Sequence, residues 1–325
     1  MKNKEADINN LLELTDVQPR PKPGKITLTD RMEPPEENPL NDWLYIGILA
    51  MKDIAKERSV EKVACIGTGQ GIDAIVASHV FRPETIYATD IVKEILEPVK
   101  KNIEGNIESQ YRPKNIFYLA GKDCEPLPEK VDLIFFSPPP LMAYNHSSLN
   151  EGIVRTTIIE AEPYLNITDD SKDIRLKWST LPQYQFLLSA KEKLNRDGLV
   201  LTLYTGRIPF EATEAAFSSA GFSIKVRYQV IKKQTDPQFL KEYATYEKEI
   251  LVNDTFDFFD YYKTKKIMKS KGFDIPGIIT GHSDISLKNL LKEAKISAQQ
   301  AYQISSEGKE VAHIGYALEG RPNTL

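Results

Sequence analysis

Short apolar runs alternate with amphipathic stretches from Asn41 onward, and that alternation sets the expected fold class. Val63 to Ile66, Ile86 to Ala88, Ile116 to Leu119, Val131 to Phe136 and Leu199 to Tyr204 are apolar runs of strand length. Nearly continuous runs of this kind mark parallel strands covered on both faces. Between the second and third runs, Ile91, Ile95, Val99, Ile103 and Ile107 recur every four residues and define one helix face. Leu181, Tyr184, Leu187, Leu188, Lys191 and Leu194 do the same ahead of the fifth run, with Gly198 as the expected helix stop. Trp43, Leu44, Ile46, Ile48 and Leu49 begin a further helical stripe that continues to Ile54. The pattern predicts a doubly wound α/β sheet. Ser223 to Ile231 and Tyr243 to Leu251 read as two more strands, paired antiparallel at one edge, and residues 263–325 as two helices and a final strand at Val311 to Leu318.

Two stretches break the rhythm. Six prolines fall between Pro19 and Pro39, so residues 1–40 read as a short helix followed by an extended arm, lying over a site or free as a terminus. Leu141 to Thr180 is far longer than the 2 to 6 residues or so usual for a strand-to-helix loop. Because it leaves the carboxyl end of the fourth strand, where open α/β sheets bind ligands, its first reading is a substrate lid and its second a structural elaboration. The expected organisation is an arm (1–40), a cofactor-binding domain (41–255, with the insert at 141–180) and a C-terminal α/β extension (256–325). Phe256, Phe258, Phe259, Tyr261 and Tyr262 read there as a packing surface rather than a substrate cage.

Composition narrows the function. The 325 residues carry 42 Lys and Arg against 46 Asp and Glu, a net charge of -4, which argues against a dedicated nucleic-acid binder. No apolar run approaches the roughly 18 residues of a membrane span. A polar start without an apolar signal region, and only two cysteines, Cys65 and Cys124, lead us to expect a cytoplasmic protein without disulfides.

The candidate chemistry sits at strand ends. The first strand runs into Gly67-Thr68-Gly69-Gln70-Gly71, where glycines let a ligand approach the backbone and a helix N-terminus offers free N–H groups. A tight strand-to-helix turn is the structural alternative. A dinucleotide fingerprint would need glycine at Ile72, which disfavours an NAD-dependent dehydrogenase and favours another adenosine-containing ligand. Asp90 ends the second strand, placed to accept from both ribose hydroxyls or to cap the next helix. Gly121 to Glu125 form an acidic turn after the third strand, either a solvated loop or a contact for an adenine amino group. The fourth strand ends in Ser137-Pro138-Pro139-Pro140, whose prolines hold the preceding carbonyls rigidly. Beyond them His146, beside Tyr144, is placed to take a proton from an acceptor, or else is a surface histidine; no Cys/His spacing suggests a metal site.

Over residues 60–250 this ordered set resembles the class I S-adenosylmethionine-dependent methyltransferases, with their Rossmann-like seven-stranded sheet. More narrowly it looks like the branch with Asn/Asp/Ser-Pro-Pro after strand four, which includes release-factor glutamine methyltransferases and amino-methylating nucleic-acid enzymes. The resemblance implies that Gly67, Thr68, Gly69 and Gly71 line the methionine part of S-adenosyl-L-methionine. It implies likewise that Asp90 binds the ribose, Ile91 packs on the adenine, and Asp123 and Cys124 meet its amino edge. Ser137 and Pro138 would face the nucleophile, with Pro139 and Tyr144 against the substrate.

Three departures stand out. Cys65 occupies the place of an acidic residue two before the first glycine, Ser137 replaces Asn or Asp, and Pro140 and Leu141 replace a stacking aromatic. With the long insert and the net charge, they favour N-methylation of a small amino-acid-like metabolite. The alternatives are a protein side chain or RNA base as acceptor, and a non-catalytic cofactor-binding scaffold.

Overall fold

Five parallel strands form the centre of the sheet: β1 (Lys62–Ile66), β2 (Thr85–Asp90), β3 (Asn115–Ala120), β4 (Val131–Phe136) and β5 (Leu194–Thr205). The structure is a computed structural model that describes residues 4–18, 23–143, 158–168, 170, 172–234, 237–251, 253–273, 279–281 and 286–323. Beyond β5 come β6 (Phe222–Lys233) and β7 (Val311–Pro322), with β7 inserted antiparallel between β5 and β6. The spatial order is therefore β6, β7, β5, β4, β1, β2, β3, with Ile279–Gly281 added outside β6. This is the expected doubly wound α/β sheet, and all five parallel strands lie where the apolar runs place them.

Successive residues of each strand feed different cores. Val63, Cys65, Leu133, Phe135, Leu199 and Leu201 belong to one buried cluster, and Ala64, Ile66, Ile134 and Val200 to the other. That alternation is the period of two of an extended chain, realised with apolar groups on both faces. The first cluster is covered by α1 (Trp43–Glu57), α2 (Ile72–Phe81) and α3 (Leu96–Asn106), the second by α4 (Leu181–Lys193), α5 (Phe210–Ser219) and α6 (Pro237–Glu249). Among the described residues no helix is long and apolar enough to cross a membrane.

Four expectations are corrected. Tyr243 to Leu251 is not a strand: it falls on α6, where Leu240, Tyr243, Tyr246 and Glu247 are buried at helical spacing. The antiparallel partner of β6 is instead β7, so the C-terminal segment from 256 completes the main sheet and does not stand outside it. Gly198 does not end a helix, because α4 stops at Lys193 and β5 starts at Leu194; the register slips between Val131 and Leu133 where β4 meets β5. Ile91 lies ahead of the helical turns that start at Lys93 and is 68% exposed, so it is not part of the α3 face.

The N-terminal segment is tied down. Lys4–Asp7 pairs antiparallel with Lys25–Leu28 around a helix at Asn9–Leu14. Asn102 and Asn106 of α3 stitch this hairpin on: Asn102 exchanges hydrogen bonds with Thr27 N–H (2.7 Å) and carbonyl (2.9 Å), and Asn106 with Gly24 N–H (2.9 Å) and the Lys25 carbonyl (2.8 Å). The arm then crosses the carboxyl edge of the sheet, where the Gln70 side-chain amide donates to the Glu33 carbonyl. The segment is thus held against the domain by hydrogen bonds at both of these places. In the C-terminal segment Phe256, Phe258, Phe259 and Tyr261 are buried as the expected packing surface, with Tyr262 exposed.

Candidate active site

A cavity of about 340 Å³ lies at the carboxyl ends of β1, β2 and β4 under the arm. The glycine loop forms one wall. Gly67 and Gly69 have φ of +60° and +53°, a region that suits glycine, and a side chain on Gly69 would find no atom closer than 3.9 Å. Bare backbone therefore faces open space. Gly71 is different: at φ +85° it starts α2, a Cβ there would meet Ile103 Cγ1 at 2.9 Å, and it does not border the cavity. Its expected place beside the ligand is corrected to one in helix packing.

Asp90 organises the loop from below. One carboxylate oxygen accepts from Gly69 N–H (3.1 Å) and the other from Val92 N–H (2.9 Å), so it ties β1 to β2 and turns the chain at Val92 while still bordering the cavity. Burial raises its pKa against the pull of those N–H groups. Ile91, exposed beside it, and Asp123, in the left-handed region at φ 50°, also border the cavity. Desolvation pushes Asp123 up to about 6. Cys124 is corrected: it is fully buried in the core, and its backbone N–H donates to the Ser189 hydroxyl at 3.2 Å.

A carboxylate does lie beside Cys65. Asp73, in the first turn of α2, accepts from the Thr68 hydroxyl (2.5 Å) and the Ala74 N–H (2.8 Å), lies beside the Cys65 thiol and borders the cavity. Among the described residues no Lys or Arg pairs with it, and burial raises its carboxyl to about 7. A carboxyl raised in the folded state stabilises the fold only while it stays protonated, so stability falls as pH rises from about 4 to about 7. Asp73→Asn keeps the acceptor oxygen and should remove that slope, which from these values amounts to roughly 4 kcal/mol at most. Denaturation midpoints of wild type and variant should diverge as pH rises; a constant difference from pH 4 to 8 would contradict this placement.

Across the cavity stand Phe136, Ser137, Pro138 and Pro139. Phe136 packs on Phe186 of α4, with ring centroids 4.1 Å apart, and the Gln183 side-chain amide donates to the Pro139 carbonyl at 2.9 Å. The proline run is thus clamped to α4, and Ser137 is left exposed towards the cavity. From the insert, Ile159 and Tyr164 border the same space, and Lys122 Nζ sits 4.9 Å from the Tyr164 ring centre. From the arm come Arg31, Glu33 and Glu36, and from the start of α1 its N-cap Asp42. Tyr144 and His146 lie outside the described residues.

One cavity therefore gathers Gly67, Thr68, Gly69, Asp90, Ile91, Asp123, Ser137, Pro138 and Pro139 of the expected set. Asp73, Tyr164 and the arm acids were not singled out from sequence. Asp73 carried one signal, a carboxylate just inside the helix that follows the glycines.

No family model matches the chain, and no curated protein matches it. Among solved structures it is similar to the ribosomal protein L11 methylase of Lactobacillus delbrueckii subsp. bulgaricus, at 18% identity over 58% of this chain and 70% of that one, with a TM-score of 0.36. It is also similar to the YcgJ protein of Bacillus subtilis (12% identity, 86% and 100% covered, TM-score 0.43). A third likeness is to the precorrin-6y C5,15-methyltransferase of Geobacter metallireducens GS-15 (12%, 58% and 78%, 0.35). Likeness at this level carries no statement about activity or substrate.

Proposed function

We propose that the chain is an S-adenosylmethionine-dependent methyltransferase that N-methylates a small, amino-acid-like acceptor. The observation that carries this reading is the convergence, in one cavity, of a side-chain-free glycine wall, a strand-end carboxylate at Asp90 and the exposed Ser137 hydroxyl on a clamped proline run. The residues fit the cofactor. Asp90 has the position to accept from ribose hydroxyls, Ile91 offers an apolar face to the adenine, Asp123 accepts from its amino group, and Asp73 places a hydrogen-bonding carboxyl beside Thr68 at the cavity wall.

When bound, S-adenosylmethionine supplies a methyl group activated on a sulfonium. The protein's part is to bring an acceptor nitrogen into line with it, and such positioning is a large source of rate. The Ser137 hydroxyl and the carbonyls of the proline run accept from the acceptor N–H, which aims its lone pair. The arm over the glycine loop, together with Ile159 and Tyr164 of the insert, encloses the acceptor and excludes water. The cavity is lined by Glu33, Glu36 and Asp42 together with Arg31 and Lys122, a mixed-charge wall that suits a small polar amine bearing both kinds of group.

Ser137→Ala tests the assignment. Loss of one positioning hydrogen bond near the reacting atom, worth on the order of 1 kcal/mol or more, should lower kcat/KM for the acceptor about tenfold. Cofactor affinity should be unchanged. Unaltered kcat/KM, or a matching loss of cofactor affinity, would remove Ser137 from the acceptor site.

A further inference from the structure

The described part of the insert has a small core of its own. Leu141–Ala143 pairs parallel with Ile158–Glu160, and Met142, Ala161 and Leu181 are buried together. Tyr164 follows in a short helical turn, Glu162–Leu165, where its backbone N–H donates to the Ala161 carbonyl at 2.9 Å. Its half-buried side chain packs against that core and borders the main cavity. The place of this ring is set by the insert rather than by the sheet.

On the cavity side the ring meets the loop that follows β3. That loop is fixed at its start, where the Gly121 N–H donates to the Asp90 carbonyl at 3.1 Å. Lys122 Nζ then stands over the Tyr164 ring, 4.9 Å from its centre, and donates to Gln185 Oε1 of α4 at 3.1 Å. One ammonium group thus joins the loop, the insert and α4, attracted by the ring face and by the amide oxygen alike. Asp123 is next in the chain, and its charge adds to the effect of burial in pushing the Tyr164 hydroxyl up to about 12. The ring is therefore neutral and lies close to the carboxylate assigned to the adenine amino group.

A purine whose amino group meets Asp123 and whose face meets Ile91 lies along this loop, within reach of Tyr164. Any base offers a flat face to an aromatic side chain. We infer that Tyr164 is a cofactor-binding residue, packing on the adenine of S-adenosylmethionine, and that the bound cofactor thereby fastens the insert over the acceptor side of the cavity. Ile159 packs on the same small core and borders the same space, so a cofactor that holds Tyr164 holds this part of the acceptor wall with it. The acceptor site is completed by the cofactor, and each ligand favours the other. The insert is then part of the cofactor site as well as a cover for the acceptor.

Titration calorimetry with S-adenosylhomocysteine and with adenosine tests this without any methyl transfer. Tyr164→Ala should weaken both about tenfold or more, since the lost contact falls on the adenine that they share. Tyr164→Phe keeps the ring and should stay within about threefold of wild type. Tyr164→Leu keeps apolar packing on the insert core and should lose affinity much as Ala does, so the test stands even if the Ala variant folds poorly. Saturating S-adenosylhomocysteine should also slow amide hydrogen exchange across residues 158–165 in wild type but not in Tyr164→Leu. Because all of this rests on the cavity holding the cofactor, a wild type that binds neither ligand would sink that reading and the role of Tyr164 together. Binding to wild type that Tyr164→Leu leaves intact, or exchange that the ligand does not alter, would overturn the role of Tyr164 alone.

Discussion

Asp90→Ala should weaken binding of S-adenosylhomocysteine by about a hundredfold or more, measured by titration calorimetry. The carboxylate would lose two charge-assisted hydrogen bonds to ribose hydroxyls, each worth roughly 1.5 to 3 kcal/mol. It would also release the Gly69 and Val92 N–H groups that it holds at 3.1 and 2.9 Å, so the glycine wall loses its support. Asp90→Asn keeps one good acceptor and should fall between. An affinity within about threefold of wild type in the Ala variant would remove Asp90 from the site.

The largest effect on stability is expected far from the cavity, at Arg227. This side chain, 1% exposed on β6, donates from Nε to Glu319 of β7 at 2.5 Å and reaches Glu57 of α1 through both terminal nitrogens, at 2.5 and 2.6 Å. Glu319 is 3% exposed, and its other ion-pair partner is Arg321, at 2.6 Å. Arg227→Met leaves a buried carboxylate without its main partner, and breaking a buried pair costs about 3 to 5 kcal/mol. A fall of about 10 °C in the denaturation midpoint is expected. Adding Glu319→Leu should recover most of it, because an apolar pair of similar volume does not strand a charge. If Arg227→Met alone costs under about 1 kcal/mol, the network does not hold α1 to β6 and β7.

The parts of the fold that were legible are those whose burial is two-sided. Val131–Phe136 is a strand from end to end because both cores need its side chains, and an apolar run broken only by Asp132 has few other uses. Tyr243 to Leu251 misled for the opposite reason. Its aromatic and isoleucine content suits a strand, but tertiary packing buries Leu240, Tyr243 and Glu247 on one helical face. Glu247 is in fact a helix-end acceptor, taking the N–H groups of Phe256 and Ala298 at 2.9 Å each, a role invisible before the C-terminal segment is folded.

The candidate site divides along the same line. Gly67, Gly69, Asp90 and Ser137 could be placed from sequence because each lies at or just past the end of a strand, and strand ends in a doubly wound sheet share one edge. Asp73 passed as an ordinary acidic first-turn residue, since nothing local shows that its carboxyl turns back to Thr68.

The account's central claim is that this cavity transfers a methyl group to a small, carboxylate-bearing amine. It is tested most directly by incubating the full chain with S-adenosylmethionine labelled in the methyl group and a cell extract separated into low-mass, protein and RNA fractions. The account predicts label in a low-mass amine that carries a carboxylate, with transfer lowered by Ser137→Ala. Label confined to protein or RNA, or cofactor bound with no transfer to any fraction, would contradict it.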